Sequence, residues 1–204
     1  MSRTQSNQDA TETSSPREGT RERLMTAMIK VVGSEGLHAA SVRTIAKAAG
    51  CNEAVLYQHF SSKVAMQQAI YEEIVTEMAN EKRAIAETTE DPETLIDRWV
   101  EATYRFYDLK PYAFAYVYMS YPPLQPTDAS FVGLNSKIFK DAIQAMTPPQ
   151  GHRMDLSPGN FAIFRAALLG PPREIHSGEI SGNAMDYLAD GARCARGILI
   201  RPIG

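Results

Sequence analysis

Between Ser41 and Lys63 the segment SVRTIAKAAGCNEAVLYQHFSSK packs helix caps, a glycine stop and two short apolar stripes into 23 residues. Few folds accept that order of signals. Ser41 can accept a hydrogen bond from the free amides of a first helical turn, and Gly50 supplies a left-handed stop. Val42, Ile45, Ala46 and Ala49 fall on one helical face, so a helix of about two turns ends at Gly50. Asn52 can then cap a second short helix, whose buried stripe is Leu56 and Phe60 and whose other face carries Glu53, Ala54, Tyr57 and Gln58. Helices this short do not hold in water alone, so their stripes must pack on the preceding segment, where Leu24, Met28, Val31 and Val32 are available. The layout predicted is a helix-turn-helix.

Residues 21–70 resemble the DNA-binding domain of the TetR (tetracycline-repressor) family of bacterial transcriptional regulators. The matching elements are the opening TRERLMTAMIKVVGSEGLHAAS, the helix SVRTIAKAAG, the turn into LYQHF and the SSK that starts the next helix, together IAxxAGxxxxxLYxHFxxK. The remaining chain, about 130 residues, matches only in kind, because the family's helical ligand domains share no motif. The resemblance implies that Arg43 reaches DNA, forking onto a guanine edge or a phosphate, and that Ser41, Thr44, Tyr57, His59 and Lys63 hold backbone phosphates. Each of those side chains supplies a donor. Tyr57 and His59 also fit part-buried places in the helical core. Lys63 stands at a helix N-terminus, where free amides and the positive dipole end favour an anion.

Two positions depart from the family pattern, which has Ser at the recognition-helix cap followed by Lys, Arg or Gln. Here these are Asn52 and Glu53. Asn52 either caps its own helix or touches DNA. The Glu53 carboxylate either reads a cytosine amine or is held by a neighbouring cation. Glu53 and Ala54 are candidate base-edge contacts, with Gln58 a further one.

A chain of 204 residues with 44% apolar residues forms one or two domains with an ample core. A net charge of −3 excludes a general positive coat, so DNA contact needs a local patch. Arg43, Lys47 and Lys63 provide it against the single acid Glu53, while Glu72, Glu73, Glu77 and Glu81 follow later. Cys51 and Cys194 form no paired framework, as expected of a reducing cytoplasm. The first residues lack an apolar core of signal-peptide type, and no segment reaches about 18 consecutive apolar residues, so neither secretion nor a membrane span is expected.

The predicted division is a disordered tail over 1–14, a three-helix DNA-binding domain over 15–61, a connecting helix over 62–90, and a helical ligand-binding and dimerisation domain over 91–204. The fold class is all-α, with about nine helices. Ser15-Pro16-Arg17-Glu18 has the form of a capping box, so the first helix is expected from about Pro16 to Gly36. The connecting helix begins at Ser62 with Val64, Ile70, Ile74, Met78 and Ile85 as apolar positions, and a fifth starts at Asp91-Pro92-Glu93 and ends before Pro111. An aromatic sixth stops at Pro122-Pro123, and a seventh runs from about Ala129 to Met146. The last two begin near Pro158 and Asn183, with GPPREIHSGEISG between them expected to break the helix. No alternating strand pattern, internal repeat or catalytic motif stands out.

Nine aromatic residues fall between Trp99 and Tyr121. They suit either an ordinary core and dimer interface or a concave apolar pocket with polar rims, and the resemblance favours a pocket. Its candidate ligand contacts are Trp99, Thr103, Phe106, Tyr112, Tyr116, Met119, Phe139 and Phe164, with a planar or hydrophobic occupant and room for a cation over ring faces. His38, His59, His152 and His176 lack metal-ligand spacing, and neither a metal nor a cofactor is expected. In the family the final two helices pair with their copies, which implies a homodimer through residues 158–200. The expected protein is a cytoplasmic, nucleoid-associated regulator, most simply a repressor, that binds a palindromic double-stranded operator and is released by a small effector. The alternative from another class is a helical ligand-binding or enzymatic protein retaining a relic helix-turn-helix.

Overall fold

Four side chains start four helices in the same way. Ser41, Asn52, Ser62 and Asp91 accept the amide of the residue three positions on, from Thr44 (3.0 Å), Val55 (3.1 Å), Ala65 (3.0 Å) and Thr94 (2.9 Å). Each such cap is worth about 1 kcal/mol. The computed structural model describes residues 16–120, 129–131 and 133–203. The helices are α1 (Pro16–Glu35), α2 (Val42–Ala48), α3 (Glu53–His59), α4 (Lys63–Glu87), α5 (Pro92–Leu109), α6 (Pro111–Tyr118), α7 (Leu134–Gln144), α8 (Pro158–Ser177) and α9 (Leu188–Leu199). Among the described residues, two 3₁₀ turns, Ala129–Phe131 and Ala184–Tyr187, accompany these helices in an all-α fold. The expected tail, the Ser15 cap, Tyr121 and the Pro122-Pro123 stop lie outside the described residues.

Glycine sets the ends where the sequence placed it. After α2, Gly50 takes φ 69°, its amide bonds Lys47 O, and the Cys51 amide bonds Ala46 O at 2.9 Å. That paired closure satisfies carbonyls the helix leaves free and aims α3 across α2. Leu24, Met28, Ile45 and Leu56 are fully buried and pin α1, α2 and α3 together.

α5 is the centre of the rest. Its buried stripe, from Leu95 and Ile96 through Trp99, Val100 and Thr103 to Phe106 and Tyr107, packs on α4, α6, α8 and α9. Asp108 accepts amides of Ala184 (2.7 Å) and Met185 (3.0 Å), fixing the turn that leads into α9. The Tyr104 hydroxyl is buried against Gly191 of α9 and finds no partner among the described residues. Between α1 and α6 the close approach is to backbone rather than to a side-chain end. A Cβ at Gly33 would stand 2.7 Å from Tyr112 O, so only glycine fits.

Four expectations require correction. Val64 is 56% exposed rather than part of the α4 stripe. The seventh helix does not run from Ala129, because Gly133 at φ 66° separates a short 3₁₀ turn from α7. GPPREIHSGEISG is not a break throughout: α8 continues through Pro171 and Pro172 to Ser177. An interior proline costs about 3 kcal/mol by removing an amide and crowding a carbonyl. Pro172 is buried, and His176 docks with its Nε2 2.7 Å from Gly33 O, contacts that act against that cost. Finally, β1 (His152–Met154) pairs antiparallel with β2 (Ile200–Pro202), three residues each, too short to show as a pattern.

Candidate nucleic-acid interface and ligand cavity

On α3 the exposed residues are Glu53, Ala54, Tyr57 and Gln58, while Leu56 is buried. At 100° per residue they span an arc of about 140° opposite the buried stripe, wide enough to present side chains to a groove. Tyr57 is 56% exposed and His59 is half-buried. Asn52 caps α3 through Oδ1, which leaves its amide nitrogen free to donate. Arg43, Lys47, Asn52 and Glu53 line one shallow groove of about 420 Å³ at the helix-turn-helix corner. Two cations there offset the Glu53 charge. Ser41 Oγ, besides capping, lies 2.7 Å from Thr44 Oγ1, so the hydroxyl pair shares one proton and keeps one to give. Lys63 is the first residue of α4, beside the capping Ser62. A second open groove of about 600 Å³, between α1 and α2, carries mixed charges from Glu22, Arg23, Lys30 and Glu35.

A smaller, more enclosed cavity of about 50 Å³ lies in the carboxy-terminal half. Its apolar wall is Trp99, Phe139, Phe161, Phe164, Leu168 and Leu169. Phe139 stacks on Phe164 at 4.9 Å and meets Trp99 edge-on at 5.0 Å. Its polar residues are Lys82, Thr103, Tyr118, Asn135, Ser136 and Arg165. Of the eight expected ligand contacts, Trp99, Thr103, Phe139 and Phe164 line this space. The other four lie elsewhere. Phe106 is buried beneath Lys110, Tyr112 packs on Gly33 and His176, and the Tyr116 hydroxyl donates to Gln67 O at 3.1 Å. Met119 is half-buried at the end of α6.

Lys82 was not legible as a site residue, yet it dominates the cavity. It is 2% exposed, donates to Thr103 Oγ1 at 3.0 Å, and holds its Nζ 4.7 Å from the Trp99 ring centroid. Burial pushes its ammonium down to about 7, only partly countered by Glu81. Burial likewise pushes the Tyr118 hydroxyl up to about 12, so it stays neutral. Asn135 Nδ2 donates to that hydroxyl at 3.3 Å, while Asn135 Oδ1 is buried without a partner among the described residues. Because Lys82 already occupies the Trp99 face, the expected place for a cationic ligand over that ring is taken by a like charge.

The comparisons with known proteins bear on the amino-terminal helices first. Residues 24–70 match the family profile of bacterial regulatory proteins, tetR family. The amino-terminal helix-turn-helix matches that of the TetR family, and the chain is similar to regulators of that family. The HTH-type transcriptional activator FasR of Mycolicibacterium smegmatis is 30% identical over 128 residues, 63% of this chain and 58% of that relative. This chain thus spans less than two thirds of that relative's length. A TetR family transcription regulator from Marinobacter aquaeolei superposes with a TM-score of 0.68 at 18% identity, over 90% of this chain and 97% of the other. The TetR-like regulator LfrR of Mycobacterium smegmatis, in complex with proflavine, gives 0.57 at 16% identity over 87% and 96%. At these identities the two structures establish the TetR fold. Among the described residues no helix is long and apolar enough to cross a membrane.

Proposed function

We propose that this chain is a ligand-responsive transcriptional regulator of TetR type that binds a palindromic operator as a homodimer and is released by a small hydrophobic or aromatic effector. The observation that carries the reading is the course of α4. Its first residue is Lys63, beside the DNA-facing corner, and Lys82, 19 positions on, forms part of the cavity. At 1.5 Å per residue the two are about 28 Å apart on one rigid helix. Displacement at the cavity is therefore carried to the DNA-binding end.

In this reading residues 15–61 read DNA, residues 62–90 connect, and residues 91–204 bind effector and partner. Arg43, Glu53, Ala54 and Gln58 face bases, with Ser41, Thr44, Asn52, Tyr57, His59 and Lys63 on the backbone. The second copy docks on residues 158–200, where Ile163 is 56% exposed and neighbours exposed Ala162 and Ala166. An apolar residue beside small ones lets two helices approach closely. The proflavine bound by LfrR is a precedent for small-molecule occupancy within this fold. Repression follows if the operator overlaps a promoter. Activation is the second reading, favoured by the similarity to FasR, a transcriptional activator.

Selection of bound duplexes from a random pool tests the DNA half. A near-palindrome with half-sites about one helical turn or slightly more apart is expected. Absence of any selected sequence at low salt refutes the reading and favours the relic alternative. A reporter with the selected operator at its promoter then gives the sign of regulation.

A further inference from the structure

We propose that the effector is an apolar molecule ending in a carboxylate, and that Lys82 is its charge partner. The inference deepens the regulatory reading and rests on it for the role of the cavity.

The cavity carries two cations, Lys82 and Arg165, and no acid among its described lining residues. No ion pair is formed by either among the described residues. A lysine held 98% out of solvent with one hydroxyl and one ring face for company is costly unless something negative arrives. Most buried lysines are met by a carboxylate of the same protein. Here Glu81, the adjacent acid, is paired with Arg105 instead. Thr103 spends its own proton on Trp99 O at 2.8 Å, so its oxygen can only accept from Lys82, and the ammonium keeps two protons to give.

The second cue is Asn135. Its Oδ1 lacks a partner while Nδ2 is spent on the Tyr118 hydroxyl. Reversing the amide lets Tyr118 donate to Oδ1 and frees Nδ2 for the second oxygen of a bound carboxylate. The apolar wall of four aromatic rings and two leucines then accepts the body of the ligand. At about 50 Å³ the space holds a head group and little more. A longer body must part α7 from α8, and α8 carries Gly170, Pro171 and Pro172, which weaken its backbone ladder, directly after Leu168 and Leu169. The titratable groups around Lys82 are Glu81 of α4, Tyr118 of α6 and Arg165 of α8. α5 and α7 contribute uncharged Trp99, Thr103, Asn135, Ser136 and Phe139 to the same wall.

The single tryptophan, Trp99, reports directly on this space. Two matched series, with 4-phenylbutyl and decyl bodies and carboxylate, alcohol or ammonium heads, are titrated into the full chain at pH 7 while its fluorescence is followed. The carboxylate of at least one series is expected to bind tenfold or more tighter than its alcohol, with the amine weaker than both. Lys82→Met should collapse the carboxylate-to-alcohol ratio toward one, and Lys82→Arg should keep it above one. Lys82→Gln serves if the methionine variant does not fold. Equal affinities of carboxylate and alcohol in wild-type protein overturn the anionic assignment while leaving an effector cavity in place. No binding by any probe at millimolar concentration overturns both that assignment and the effector role of the cavity. Operator affinity without probe, measured in parallel, separates either outcome from failure of the DNA-binding reading.

Discussion

Lys82 shows how one buried charge leaves a mark on the whole chain's stability. In the folded protein its ammonium titrates near 7, against 10.5 for an ordinary lysine. Between those values the unfolded chain binds the extra proton, so this residue's contribution makes stability rise with pH across that window; below it the cost of the buried charge is fully present. Lys82→Met is therefore expected to raise the melting temperature near pH 6.5, by about 2–4 °C per kcal/mol recovered, with the increment shrinking towards pH 10. Melts of both proteins across that range check it; an increment independent of pH would show that the lysine is not buried as a charge. On the DNA side, Lys63→Ala should weaken binding to every sequence and reduce the salt slope by about one. Arg43→Ala, if it reads a base, should cost about 1–3 kcal/mol on the operator and relax one position. Glu53→Gln should change the preferred base more than the nonspecific affinity. Salt-dependent anisotropy with selected and scrambled duplexes separates these outcomes. At this scale the sequence was readable where chemistry is local: the caps Ser41, Asn52, Ser62 and Asp91 all form. Lys82 was hidden in plain view, at i+4 from Met78 and i−3 from Ile85, inside the buried stripe of its helix. A lysine at such a position is the signal that periodicity alone can offer. Nothing local distinguishes one whose head stays buried from one whose stem lies along the surface.

Elements meet in this fold at glycines, and two of them make sharp tests. A Cβ at Gly191 would stand 2.4 Å from the Tyr104 hydroxyl, which is itself buried without a partner. Gly191→Ala should cost about 1–3 kcal/mol through overpacking, Tyr104→Phe should be neutral or stabilising because it removes an unsatisfied group, and the pair should recover much of the loss. A double-mutant cycle in urea measures it; strict additivity would mean that the two groups do not compete for the same space. Helix boundaries set by caps and glycines were legible, as at α2, α3, α5 and the end of α1. Those decided by tertiary contact were not. The sequence argues for a break at Pro171-Pro172, and only the burial of Pro172 and the His176 to Gly33 contact, 143 positions apart, explain why α8 runs on. The two three-residue strands pair only because the loop after α7 and the chain after α9 converge, which no local pattern records.

At the scale of the whole molecule the DNA-binding reading demands symmetry, since one helix-turn-helix gives too few base contacts for useful specificity. Light scattering across micromolar concentrations should give twice the 22.5 kDa chain mass, and Ile163→Asp on the exposed face of α8 should shift it towards one; a persistent monomer in wild-type protein removes the basis for a palindromic operator. If α4 couples the two ends, ligand and operator must weaken each other by the same factor, typically 1–3 kcal/mol. Calorimetry with and without operator DNA measures that factor. The junction at Gly33 says how such a coupling can move. At Gly33 no side chain separates the backbones of α1 and α6, and the two helices pack broadly on either side of that close approach. Compression is blocked by the Tyr112 backbone itself, and separation is resisted by the His176 tie to Gly33 O. α1 is thus set against α6 at a fixed spacing, so an effector that shifts α6 or the end of α8 has to carry α1 with it.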